Sequence, residues 1–249
     1  VLLYKNNIFN HPDASVKIVV LGTCRVHDPI NSVDNEPGIS ILTPQNSSYL
    51  HTSSEALQRI SYLIGKHEYP QNLTKYQIGK GVIDLVDSQK IDDADVVLIE
   101  ISSIKILSIE SHFLQFNHTI KRIRKLDSAF SNEWLIMLDS SFRSGEPIPK
   151  ITNFPSSISQ VEREIISGIM TRKQTQIELE DDIRNISSLL GKKVIFVTHV
   201  GARKKNGLNI KSREYLIRRI SDCCSKFDIP VINPTEFLDI FGQENMMAE

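Results

Sequence analysis

Three cysteines in 249 residues, Cys24, Cys223 and Cys224, are too few for a disulfide framework. Their number is odd, and adjacent cysteines rarely bridge each other. The chain therefore reads as one that folds in a reducing, cytoplasmic setting. No apolar run approaches the roughly 18 residues that a spanning helix needs, so no membrane span is expected. The opening "VLLYKNNIFNHPDAS" turns polar too soon for a signal peptide, and it starts on Val, as a fragment or a processed chain would. Charge of either sign is not in excess: the net value of −1 creates no field to recruit nucleic acid or an acidic membrane. There is no glycine-rich phosphate loop of either common type, no internal repeat and no low-complexity segment. Cys223 and Cys224 have no His or Cys at ligand spacing, so no metal site is expected. Asn72-Leu73-Thr74 and Asn117-His118-Thr119 match the glycosylation pattern, which carries no meaning in a cytoplasmic protein.

What is present is an ordinary globular composition, 40% hydrophobic and 24% charged, in a chain long enough to bury a core unaided. Residues 17–21 form a short β-branched run closed by Gly22 and read as a buried strand. A weaker strand follows at 39–44, a helix at 53–65 capped by Ser53 or Ser54, and a further strand at 81–87. "ADVVLIEISS" (94–103) is apolar on both faces, as the centre of a covered parallel sheet should be. The spacing predicts a helix over 109–130, a strand over 133–139, and helices over 158–172 and 174–190. Then come a strand at 192–200, a basic loop at 201–209, a helix at 211–227 and a last strand at 229–234. This alternation implies a single domain over 1–249, a three-layer α/β sandwich with a mostly parallel sheet.

Ligands in such sheets bind beyond the carboxyl ends of the strands. That rule singles out Thr23, Cys24, Arg25, His27 and Asp28, then Glu100, Ser102 and Ser103, then Asp139, Ser140 and Ser141, then Thr198 and His199. Gly22 permits a sharp turn, and a cysteine opening the next helix would meet free N–H groups and the positive end of the helix dipole, which favour a thiolate and an oxyanion. The plainer reading makes Cys24 a small hydrophobe filling the junction. His27 would share a helical face with Cys24 as its base, or else His27-Asp28-Pro29 is a turn. His199 has the chemistry of a general base near neutrality, or it hydrogen-bonds only backbone. Glu100, if buried, needs a partner, which Arg25 or a backbone N–H would supply. Ser102 and Ser103 either donate to an oxyanion or cap a helix. "RKK" at 203–205 is a solvated loop unless it borders the crevice, where it would hold a phosphate or carboxylate.

The strand ending in Gly22-Thr23-Cys24 resembles the first motif of SGNH-type hydrolases, Gly-Asp-Ser, in which the Ser is the nucleophile. It is closer to a bacterial branch with Gly-Ser-Cys or Gly-Asn-Cys there, the GSCFA and WcbI-like polysaccharide biosynthesis proteins. "ADVVLIEISS" falls where that fold has its central strand, without the Gly and Asn that normally serve the oxyanion hole. The resemblance implies that the three-layer α/β sandwich is of the SGNH or flavodoxin-like kind, and it implies acyl transfer to a saccharide, or ester hydrolysis, in bacterial surface-polysaccharide (capsule) biosynthesis. Cys24 would be the nucleophile, His199 or His27 the base, and the N–H of Cys24 or Arg25 with Ser102 the oxyanion hole. Thr23, Glu100 and Ser103 would complete the binding set. No cofactor is expected to be tightly bound; acyl-CoA is one candidate acyl donor and a saccharide or other small molecule the candidate acceptor, the identity of both being left open by the sequence. The family's closing Asp-x-x-His should follow the last strand and does not occur. Either the chain is truncated before it, or His27 or His199 replaces it, or the protein is a non-catalytic SGNH-like binding module in a larger assembly. Oligomeric state is left open.

Overall fold

A computed structural model of the chain describes residues 15–34, 36–42, 49–78, 90–201 and 210–241. The expected strand at 81–87 and the "RKK" loop lie outside these residues. Five strands, β1 (Val16–Leu21), β2 (Ile39–Ile41), β3 (Val96–Ile101), β7 (Val194–Thr198) and β8 (Val231–Ile232), form an all-parallel sheet in the order β2-β1-β3-β7-β8. The register sets Leu21 beside Ile99 and Glu100 beside Val197, so the ends of β1, β3 and β7 are level.

Strand alternation sends Val19, Leu21, Val97, Ile99 and Phe196 to one face, and Val20, Leu98 and Val197 to the other. The first face packs on helices α2 (Ser53–Leu63), α7 (Gln176–Leu190) and α8 (Lys211–Lys226), through residues such as Ile60, Ile183 and Ile220, all fully buried. The second carries α1 (Cys24–Asn31) through Val26. Helices on both faces of a parallel sheet are the expected architecture.

Local chemistry sets the boundaries. The N-cap of α2 is Thr52, whose side chain takes the Glu55 N–H, and not Ser53 or Ser54. Those two hydroxyls lie one residue inside the helix and donate to Asp182 at 2.8 and 2.7 Å, tying α2 to α7. Gly65, with φ of 72°, ends the helix in the left-handed region. Residues 24–31 are one helix with Pro29 inside it, so the turn reading of His27-Asp28-Pro29 is set aside; the missing N–H of Pro29 costs one helical hydrogen bond.

Between β3 and β7 the structure departs from expectation. In place of one helix over 109–130 there are strands β4 (Lys105–Ile109) and β5 (His112–Leu114), then a short helix α4 (Phe116–Leu126). β6 (Met170–Lys173) pairs with β4, giving an antiparallel sheet in the order β5-β4-β6, so the predicted helix over 158–172 shrinks to α6 (Gln160–Gly168). The predicted strand 133–139 lies within helix α5 (Ser128–Ser144), which Asp127 caps through the Phe130 N–H. Phe130, Trp134, Leu138 and Phe142 recur every fourth residue on its buried face, whereas Ile136 is 71% exposed. Residues 133–139 are therefore part of a run that is amphipathic at helical spacing. Asp139, Ser140 and Ser141 consequently leave the strand-end set: Asp139 pairs with Arg143 on the helix surface, and Ser141 bonds the Glu146 carbonyl. A four-residue helix, α3 (Thr74–Gln77), contributes Tyr76 to this second core. Gln58 of α2 joins the two sheets, exchanging hydrogen bonds of 2.9 Å with both the N–H and the carbonyl of Phe113 on β5.

Candidate active site

The site begins with a residue that has no side chain. A Cβ on Gly22 would lie 2.7 Å from both Glu100 Cβ and Val26 Cγ1, so only glycine lets α1 start directly over the end of β3. Thr23 then caps α1: its hydroxyl oxygen accepts the Arg25 N–H at 3.3 Å, while its own N–H and O–H donate to Glu100 Oε2 at 2.8 and 2.5 Å. Cys24 is the first helical residue and is exposed. Among the described residues its N–H has no hydrogen-bond acceptor, whereas the Arg25 N–H is committed to the cap.

Glu100 is 1% exposed. Burial alone would raise its pKa, but hydrogen bonds from His199 and from Thr23 outweigh that and hold the carboxyl below its ordinary value. Its partner is therefore Thr23 together with His199, not Arg25. His199, just past the end of β7 and 5% exposed, brings Nδ1 to 3.4 Å from Glu100 Oε1. Arg25 Nη1 lies 2.8 Å from His199 Nε2 and 3.2 Å from Nδ1. Arginine only donates, so with the Nδ1 hydrogen turned to Glu100, Nε2 supplies the lone pair.

Two residues that sequence reasoning missed enter from other elements. His51, immediately before the α2 cap, places Nδ1 at 3.0 Å from Ser102 Oγ and Nε2 at 3.1 Å from Asn117 Nδ2 of α4. Its carbonyl accepts the N–H groups of Ser102 and Ser103 at 2.9 Å each. Burial pushes the His51 imidazole below its ordinary pKa; Glu100 opposes this, and His199 and Arg25 add to it. In the neutral ring, the Asn117 amide donating to Nε2 puts the hydrogen on Nδ1. Ser102 Oγ then accepts that hydrogen and keeps its own O–H for another acceptor. The His51 N–H donates to Glu55 Oε2 at 3.0 Å, and burial pushes the Glu55 carboxyl up to about 8. The signal for His51 was its place before a helix cap, hidden because the cap was set one residue late. Asn117 was dismissed with a glycosylation match.

His27 packs on a different partner. It is 4% exposed and its ring stacks on Tyr49 at 5.1 Å, while Tyr49 bridges to Gly22 through the backbone. Ser103 Oγ accepts the Lys105 N–H, a turn role. Beyond β8, Asn233-Pro234-Thr235-Glu236 occupies the place of the Asp-x-x-His motif; Asn233 Oδ1 accepts from the Thr198 hydroxyl at 3.2 Å and from the Thr235 N–H at 3.1 Å. Among the described residues no group of three or more His, Cys, Asp or Glu is placed to hold a metal ion, and no helix is long and apolar enough to cross a membrane.

A parallel sheet in this order, with polar side chains gathered at the ends of β1, β3 and β7, defines a three-layer α/β protein with flavodoxin-like strand order. Within that class, the chain belongs to the TviD N-terminal domain family, which residues 16–249 match. The Vi polysaccharide biosynthesis protein TviD of Salmonella typhi is 25% identical over 236 residues, which cover 93% of this chain and 28% of that protein. The chain thus spans little more than a quarter of the length of this relative. Among solved structures, a lipase/acylhydrolase from Enterococcus faecalis is similar over 91% of this chain and 80% of its own, at 11% identity and a TM-score of 0.40.

Proposed function

We propose that the protein transfers an acyl group to a saccharide hydroxyl, or hydrolyses a saccharide ester, in bacterial surface-polysaccharide biosynthesis. The observation that carries this reading is how Cys24 is bracketed. The residue before it bonds Glu100 through two donors, the residue after it bonds His199, and Glu100 and His199 meet each other. An exposed thiol at a helix start, followed by a residue that contacts a carboxylate-oriented imidazole, fits the arrangement expected of an activated nucleophile. The biosynthetic setting is that of the Salmonella relative's name, and the Cys-containing motif agrees with it.

In this reading His199 Nε2 takes the thiol proton as Cys24 sulfur bonds to the acyl carbon. Collapse of the tetrahedral species expels the donor's leaving group, which takes the proton back from His199. A saccharide hydroxyl then attacks the thioester, gives its proton to His199, and the C–S bond breaks to restore the thiol. Water in place of the saccharide makes the reaction hydrolysis. The Cys24 N–H and the outward Ser102 O–H serve the oxyanion. Acyl-CoA is the donor we favour. His27, stacked under Tyr49, is the weaker base.

One observation favours the alternative of a non-catalytic binding module: Arg25 occupies the nitrogen that His199 would use. Incubation of the purified protein with acetyl-CoA or p-nitrophenyl acetate, followed by mass spectrometry, separates the two. A single acetyl adduct on Cys24 that discharges to an added oligosaccharide or to water supports the enzyme. No adduct and no turnover with either donor would sink it in favour of the module.

A further inference from the structure

Residues 49–51 cross two strand ends. Tyr49 bridges to Gly22, just past β1, and the Leu50 N–H donates to the Gly22 carbonyl at 3.2 Å. The His51 carbonyl takes the Ser102 and Ser103 N–H groups, just past β3. Side chains alternate along extended backbone, so burial of Leu50 in the core turns Tyr49 outward. The Tyr49 ring is 40% exposed, yet it is held: it stacks on the buried His27 ring with 5.1 Å between centroids and 27° between planes. Cys24, His27 and Asp28 stand at i, i+3 and i+4 on α1 and so share one helical face. The ring over His27 therefore stands beside the turn that begins with Cys24. Burial, then the charges of Cys24 and Asp28, raise the Tyr49 phenol above its ordinary pKa, in agreement with that placement. Asp28 is exposed, and among the described residues neither its carboxylate nor the Tyr49 hydroxyl has a hydrogen-bond or ion-pair partner.

We propose that Tyr49 and Asp28 form the subsite for the acceptor saccharide, with a sugar ring stacked on Tyr49 and one of its hydroxyls donating to the Asp28 carboxylate. A pyranose carries C–H groups on its face and O–H groups around its rim. The C–H face packs on a fixed aromatic plane, and a rim hydroxyl satisfies a carboxylate that has no other donor. Calling the sugar an acceptor rests on the acyl-transfer reading; its binding does not. The adenine of acyl-CoA is also flat, but the pantetheine arm holds it far from the thioester carbon. A sugar that attacks an acyl group on Cys24 keeps its ring within a few bonds of the attacking oxygen, and Tyr49 stands beside Cys24.

The test is calorimetric titration of the intact protein with maltotriose, chitotriose, a glucuronate trisaccharide, acyclic sorbitol and coenzyme A. Carbon NMR of the tyrosine rings, with Tyr49 assigned by Tyr49→Phe, runs alongside. At least one trisaccharide should bind more tightly than sorbitol, which has the hydroxyls without the ring face, and should shift the Tyr49 ring signals. Tyr49→Ala and Asp28→Ala should each weaken that trisaccharide about tenfold, the scale of one lost stacking contact or one lost hydrogen bond to a charged group. Tyr49→Phe keeps the ring face and should weaken it much less. If Tyr49→Ala misfolds, Tyr49→Leu replaces it, and the ring shift in the wild-type protein is read without any variant. Trisaccharides that bind no better than sorbitol, or that leave the Tyr49 signals in place, or whose affinity ignores both substitutions, would overturn the subsite. Coenzyme A that moves the Tyr49 signals where no trisaccharide does would give the ring to the donor instead. If a trisaccharide binds through Tyr49 and Asp28 while Cys24 is never acylated, the acyl-transfer reading falls and the sugar site stands. If Cys24 is acylated and both alanine variants bind the sugar as wild type does, this inference alone falls.

Discussion

His199 Nδ1 lies 3.4 Å from Glu100 Oε1 although the two residues belong to different strand ends, and neither is more than 5% exposed. The carboxylate fixes which ring nitrogen carries the hydrogen. Glu100→Gln should therefore lower kcat by about 10²-fold or more, with a much smaller change in KM, because the amide can present the wrong group to Nδ1. Steady-state kinetics with p-nitrophenyl acetate measure this, and equal activity would disprove the orienting role.

The same carboxyl makes a pH prediction. Its folded pKa is depressed, so its contribution to stability is present above the unfolded value of about 4.3 and is lost as pH falls through the folded value. Glu55 has the opposite sign. Its folded pKa is raised to about 8, so its contribution is complete below the unfolded value of about 4.3 and is lost as pH rises from there through about 8. Urea unfolding from pH 5 to 9 should show Glu55→Gln gaining stability relative to wild type as pH rises. A constant difference between the two proteins would contradict the assignment.

Gly22→Ala should destabilise the fold by about 1–3 kcal/mol, the usual cost of overpacking, since the new methyl meets Glu100 and Val26 at 2.7 Å. Activity should fall further than the stability loss explains, because the methyl also pushes Glu100 away from Thr23. Chemical denaturation paired with kinetics on the folded fraction tests both halves.

Iodoacetamide should modify Cys24 well before Cys223 and Cys224. Cys24 is exposed, whereas burial pushes the other two thiols up to about 11 and about 12. Cys24→Ala should abolish acyl transfer and leave the melting temperature nearly unchanged. Peptide mapping after timed labelling decides the first point; preferential labelling of the α8 pair would refute it.

Ser102→Ala should reduce kcat by about 10²- to 10³-fold if its hydroxyl faces the oxyanion. His51→Gln should give a smaller loss, since it disturbs the orientation of that hydroxyl without removing it. Equal rates for wild type and Ser102→Ala would leave Ser102 a turn residue.

The parallel sheet was legible because β1, β3 and β7 are continuous apolar runs with polar exits. Those exits led directly to Thr23, Cys24, Glu100 and His199. The second sheet was not legible: β4, β5 and β6 are three to five residues long, too short for a period to declare itself. Residues 133–139 misled because side-by-side apolar residues look alike whether both faces are buried or one is. His51 and Asn117 were invisible for a different reason. Neither follows a strand of the parallel sheet, and only tertiary packing carries them to Ser102.

Thr23 and Glu100 are 77 positions apart, and Arg25 and His199 are 174 apart. Contacts of such range close long loops, which makes them slow to form. The helix pair α4–α5 and the β4–β5 hairpin are local by comparison and can organise early. In a refolding experiment, protection of amides in that segment should therefore precede recovery of function. Assembly of the Thr23, Glu100, His199 and Arg25 cluster would then be the last event of folding, and a clock for its completion.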